Sequence, residues 1–202
     1  MTGPAPINRA LRRVPTWPLY LVGMAPAVWF FWLGATGGLG VEPITALEHR
    51  LGLTGLQLLI ASLAVTPLRR FTGIELIRFR RAIGLVGFFY IVLHLGVWLV
   101  LDLQSWQRVW ADILKRPYIT IGMAGFVLLL PLALTSSNRA VRKLGPIRWR
   151  RLHRLAYLAI PLGAIHFAML VKGWQIEPLV YLAAILGLLA LRIRLRGVRA
   201  TA

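Results

Sequence analysis

The sequence contains no cysteine. Disulfides, thiol redox catalysis, iron–sulfur clusters and cysteine-ligated zinc are therefore excluded, and any redox chemistry requires a bound cofactor. Acid is scarce, with six Asp and Glu against 24 Lys and Arg. No stretch alternates apolar and polar residues as a half-buried strand does. Charge is missing altogether from six segments: Trp17–Thr36, Gly52–Leu68, Ala82–Leu101, Pro117–Asn138, Leu155–Val171 and Pro178–Leu191. With no carboxylate inside them, a proton pump, a zinc site and a di-iron site lack their groups.

What is present is apolar length. Of 202 residues, 58% are hydrophobic, and the mean hydropathy is +0.70. The uncharged segments approach or exceed the roughly 17–25 residues that cross a bilayer. The last is short, and Arg192 and Arg194 are expected to snorkel outward to complete it. The first exceeds the apolar core of a signal peptide, roughly 7–15 residues, and is read as a span. Placing the N-terminus in the cytoplasm puts 19 of the 24 Lys and Arg on the inside and five of the six acids outside. That is the positive-inside rule. The expected fold is all-α, a six-transmembrane-helix bundle with both termini cytoplasmic. Residues 1–16 and 195–202 form tails, and 17–194 the membrane domain. This distribution accounts for the net charge of +18 without nucleic acid, and it suits anionic lipid headgroups. Asp102–Arg116 reads as a periplasmic loop whose Trp106 and Trp110 lie at the interface. The glycines of Gly37–Pro43 lack the strand–turn–helix setting of a dinucleotide fingerprint.

Two histidines stand within spans. His94 lies about 4 Å beyond the centre of its span and His166 about 4–5 Å beyond its own, both toward the periplasm at 1.5 Å per residue. Intramembrane ionisable groups are costly and usually functional. Two imidazoles at one depth on different helices can ligate one flat iron porphyrin from both faces. Gly87, Ala159 and Gly163 stand near the same helix faces and would leave room for it. Packing glycines common in membranes are the plainer account of them. His153 lies 13 residues before His166, about 20 Å along the helix, so the two cannot share an iron. At the matching depth of span 3 stand Arg80 and Arg81 rather than a histidine. Two readings of His153 stay open: an interfacial residue among basic headgroup contacts, or a cytoplasmic redox site for a flavin, a quinone or a second haem. His49, beside Glu48 and Arg50, reads as a solvated helix terminus, with a contact for a haem propionate or a partner-docking residue as the alternative. A non-redox transporter or assembly scaffold with packing histidines is the rival from another class.

The order of several segments carries a resemblance. They are GGLGVEP (37–43), TPLRR (66–70), RRAIGL (80–85), the isolated His94, RPYITIG (116–122), LTS (134–136), and LG with RWRRLH (144–153). Together they resemble the MsrQ (YedZ) family of haem-binding membrane subunits, related to the ferric reductase and NADPH oxidase membrane domain. The resemblance implies a six-helix ferric reductase-like bundle in the bacterial inner membrane, haem b and an FMN. It also implies electron delivery to a periplasmic molybdopterin enzyme that reduces methionine sulfoxide in proteins. In the wider superfamily paired histidines on two helices stack two haems. Here span 5 has His153 and His166, whereas span 3 has His94 alone, so one haem is expected, with a second at His153 as the alternative. Arg80, Arg81, Arg150 and Arg151 are the candidate region for a flavin phosphate. Eight residues follow Arg194, too few for a flavin and dinucleotide domain, so the expected donor is membrane quinol or a separate flavin reductase.

Overall fold

Proline opens four of the helices, at the position where a missing N–H leaves no bond unmade. The computed structural model describes residues 4–171 and 175–200, with side chains described as far as Arg192. The start of the expected turn at Gly173–Glu177 and the side chains of Arg194 and Arg196 lie outside these. The described residues form helices α1 (Ala5–Arg13), α2 (Pro18–Ala35), α3 (Pro43–Thr72), α4 (Arg80–Val97), α5 (Trp106–Lys115) and α6 (Pro117–Leu134). After them come α7 (Asn138–Leu144), α8 (Pro146–Leu152), α9 (Ala156–Leu170) and α10 (Ile176–Ala200). Tighter or wider turns flank three of these. Ile77–Phe79 leads into α4, Trp98–Leu103 extends it, and His153–Leu155 joins α8 to α9.

Five of these stretches are long and apolar enough to cross a membrane: Pro18–Ala35, Pro43–Thr72, Ile77–Leu103, Pro117–Leu134 and Pro146–Leu170. The chain is a helical membrane protein. The exterior of α2 shows why. Only Ala27 is buried along it, while Leu21, Val22, Val28, Trp29 and Trp32 are exposed. So continuous an apolar surface is stable in lipid rather than water. The sixth long helix, α10, packs on α9 and α3.

The bundle is built from two tightly packed pairs, α3 with α4 and α6 with α9. Small residues let the backbones approach. A Cβ on Gly87 would stand 3.3 Å from the Gly55 carbonyl oxygen, and one on Gly125 would stand 3.3 Å from that of Ala159. Leu56, Leu59, Leu63, Leu129, Ile160, Ala164 and Ile185 knit the pairs and α10 together. A second cluster seats α2 through Ala27, Leu51, Val86 and Tyr90, and the Tyr90 hydroxyl donates to the Gly23 carbonyl at 2.8 Å.

Three features depart from the sequence reading. Within the segment read as a periplasmic loop lies an amphipathic helix, α5. It turns Val109 inward onto Trp98 and Ile119 and leaves Trp106, Trp110 and Leu114 exposed. The N-terminal tail is not free. The Asn8 amide donates to the Gly73 carbonyl and accepts from the Glu75 N–H, both at 2.9 Å, and Arg12 pairs with Glu75 at 3.1 Å. Arg192 does not snorkel outward. Its guanidinium turns inward to the Leu63 carbonyl at 2.6 Å and the Tyr157 hydroxyl at 2.7 Å. The cause lies four residues along α3. Pro67 has no N–H, so the Leu63 carbonyl loses its helical partner, and a buried carbonyl needs another.

Candidate functional site

Each helix pair carries one of the two half-buried histidines on its second member. His94 of α4 leans on α3, and its Nδ1 donates to the Glu48 carbonyl at 3.0 Å. His166 of α9 leans on α6, and its Nδ1 donates to the Tyr118 carbonyl at 2.7 Å. A carbonyl only accepts, so the proton sits on Nδ1 and Nε2 keeps its lone pair on both rings. Four residues beyond each carbonyl, one turn on, is a glycine. A Cβ on Gly52 would lie 3.0 Å from His94 Nδ1, and one on Gly122 would lie 2.7 Å from His166 Nδ1. A Cβ on Gly122 would force the ring or its helix to shift, and one on Gly52 would make the ring give by a few tenths of an ångström.

The two rings meet across a cavity of about 730 Å³, within the roughly 300–1,000 Å³ usual for a cofactor site. Their centroids are 6.2 Å apart and their planes nearly perpendicular, at 76°. An imidazole nitrogen stands about 2.0 Å from a first-row metal and about 1.1 Å from its ring centre. Two imidazoles on opposite sides of one metal thus have centroids about 6 Å apart, the spacing found here. The walls are apolar, with Leu53, Leu56, Ile91, Phe126, Met123 and Phe167 among them. Gly52, Gly122, Gly163 and Ala159 keep the space open. A flat, apolar macrocycle held through its metal fits this donor set.

Polar groups gather at one rim: Glu42, Glu48, His49, Asp102 and Arg116. Among the described lining residues Arg116 is the one Lys or Arg. It bonds the Tyr118 hydroxyl at 3.3 Å and pairs with Asp112 at 3.3 Å. His49 is exposed at this rim, with its ring 5.4 Å from that of Phe167. Sequence reasoning placed Glu48 and Arg116 near helix ends and gave them no role. Of the small residues it proposed, Gly163 and Ala159 line the cavity. Gly87 does not, because it is spent on the α3–α4 crossing against Gly55.

A second cavity, about 1520 Å³, opens at the basic end. Eight arginines line it (69, 70, 78, 80, 81, 150, 154 and 192), and no acid does among the described residues. Arg80, Arg81 and Arg150 of the proposed phosphate region belong to it. Arg151 is exposed and does not, since one residue of helix turns it about 100° from Arg150. His153 lines the same cavity, but its ring is committed. Trp149 stacks on it at 3.8 Å. The Thr135 hydroxyl donates to the Pro131 carbonyl, so His153 Nε2 is the donor in its 3.1 Å contact with that hydroxyl. Leu59, Leu129 and Ile160 line both cavities. Phe88 of the basic cavity stacks on Phe126 of the other at 5.9 Å and 8°. One layer of side chains separates the two spaces.

The ferric reductase like transmembrane component family matches residues 51–164, a stretch that takes in all of α4 and α6, most of α3, part of α9 and His94, and ends two residues before His166. The protein-methionine-sulfoxide reductase heme-binding subunit MsrQ of Brucella anthropi is 51% identical over 178 residues, 88% of this chain and 80% of that protein. The subunit of the same name from Brucella ovis matches to the same extent. No solved structure matches the chain significantly. At this identity over nearly its whole described length, the chain belongs to the MsrQ family of the ferric reductase-like transmembrane proteins.

Proposed function

We propose that this chain is the haem-binding electron carrier of a protein-methionine-sulfoxide reductase system, with one haem b held between His94 and His166. The observation that carries the proposal is the pair of backbone-tethered imidazoles, centroids 6.2 Å apart, across one apolar cavity. A bound haem would supply one-electron chemistry, with His94 and His166 as the residues that would hold its iron. The chain's own part is to hold both rings in one tautomer and, with its apolar walls, to keep water from the space between them.

The charge distribution supports six crossings of the bacterial inner membrane, with both termini and the basic end in the cytoplasm. The polar rim then faces the periplasm, where a soluble molybdopterin-containing reductase collects electrons and reduces oxidised methionine in proteins. Electrons arrive at the basic cavity from membrane quinol or a separate flavin reductase. The FMN implied by the resemblance would set its phosphate on Arg80, Arg81 and Arg150, because the guanidinium fork matches phosphate oxygens. Arg151 stands beside that cavity and would act by charge alone. His153 supports a one-haem reading: its Nε2 and one ring face are occupied, and Arg80 and Arg81 take the place of a partner histidine.

The test uses detergent-purified protein. His94→Ala and His166→Ala should each abolish the Soret band, while His153→Ala keeps it. A colourless but folded wild-type protein would end the redox reading, and loss of haem in His153→Ala would move a ligand. Reduced quinol added to membranes free of soluble flavin reductase should reduce the haem if quinol is the direct donor.

A further inference from the structure

The two histidine tethers share a construction that ligation alone does not require. On α3 the order is Glu48 carbonyl, then Gly52 four residues on and Gly55 three further. On α6 it is Tyr118 carbonyl, then Gly122 and Gly125 at the same intervals. Gly55 and Gly125 bring the partner helices together, with Cβ positions 3.2 Å from the Gly87 carbonyl and 3.3 Å from the Ala159 carbonyl respectively. Gly52 and Gly122 then admit the rings. The histidine stands seven residues past the small residue on each partner, Gly87 to His94 and Ala159 to His166. One design therefore occurs twice, and in both copies the glycine clears the hydrogen bond of Nδ1 rather than the nitrogen left for iron.

We propose that Gly52 and Gly122 are positioning residues that hold each Nδ1–H on its backbone carbonyl and so set the reduction potential of the haem. The inference rests on the haem reading above and goes beyond it, because ligation could persist with the rings displaced. A hydrogen bond from Nδ1–H makes the imidazole a stronger donor through Nε2. A stronger donor favours the oxidised iron and lowers the potential. The two sides are unequal. His166 has the shorter bond, 2.7 Å against 3.0 Å, and Gly122 has the smaller clearance, 2.7 Å against 3.0 Å. The α6 side carries the larger share of the effect.

The experiment is a spectroelectrochemical titration of purified Gly52→Ala, Gly122→Ala and Gly187→Ala. Gly187 is the control, a helical glycine of α10 that lines neither cavity and whose added Cβ meets nothing within 4 Å. Both tether variants should keep the six-coordinate spectrum and show a raised midpoint. For Gly122→Ala the expected change in the reduction equilibrium is on the order of tenfold, about 59 mV for one electron, with a smaller rise for Gly52→Ala. Gly187→Ala should titrate with the wild type. Haem loss from a folded Gly122→Ala while Gly187→Ala keeps its haem would show a need for space at the ligand itself and overturn the tuning role. Wild-type midpoints in both tether variants overturn the proposal while leaving the haem reading intact. A wild-type protein without haem overturns that reading instead. If Gly122→Ala does not fold, the midpoint of Gly52→Ala decides alone.

Discussion

Single residues in this protein act through the backbone groups they leave or fill. Pro67 strips the Leu63 carbonyl of its helical partner, and Arg192, 129 residues away in sequence, supplies a guanidinium. Replacing Arg192 by Met should leave that carbonyl unsatisfied at a cost of about 1–3 kcal/mol, read as a lower thermal midpoint in detergent. Restoring the helical bond with Pro67→Ala in the same chain should recover much of the loss. An unchanged midpoint in Arg192→Met would show that the carbonyl finds another donor. The sequence named the important residues at this scale only in part. His94 and His166 stood out because a histidine in an uncharged run is rare. Gly52 and Gly122 did not, because a glycine in a membrane helix ordinarily signals packing. Their part appears only when the facing ring and its carbonyl partner are placed.

At the scale of elements, the membrane made the long helices legible. In lipid every backbone group must be paired within its own helix, so an uncharged run of sufficient length has few alternatives. The runs beginning at Trp17, Gly52, Ala82, Pro117 and Leu155 each correspond to a helix: α3 and α4 begin before their runs, whereas α2, α6 and α9 lie within theirs. Outside lipid the same logic does not apply, and the short elements were missed. α5 mixes Trp and Val with Gln, Arg and Asp, so it resembles a loop by composition. Its 3.6-residue order becomes plain once Val109 is found inward and Trp106, Trp110 and Leu114 outward. α1 was hidden for a different reason. Its polar sequence gains order from Gly73 and Glu75, distant partners that no local pattern announces.

The whole molecule is a bundle with two cavities in series, one arginine-lined and one histidine-lined, divided by Leu59, Leu129, Ile160 and the Phe88–Phe126 stack. Contacts of α1 with residues 73–78, and of Arg81 with Asn138 at 2.7 Å, gather three basic segments at one end. The proposed orientation follows from their charge. Because the chain has no cysteine, single-cysteine probes report without background. Arg108→Cys should react with a membrane-impermeant thiol reagent in intact cells, and Arg139→Cys only after the inner membrane is opened. The reverse pattern would invert the sidedness of both cavities. The central claim is narrower: one iron between one pair of histidines. Haem content per chain, measured by pyridine haemochrome on the pure wild-type protein, tests it most directly. The account predicts one haem per chain. A value near two would install His153 as a ligand, and a value near zero in folded protein would contradict the account outright.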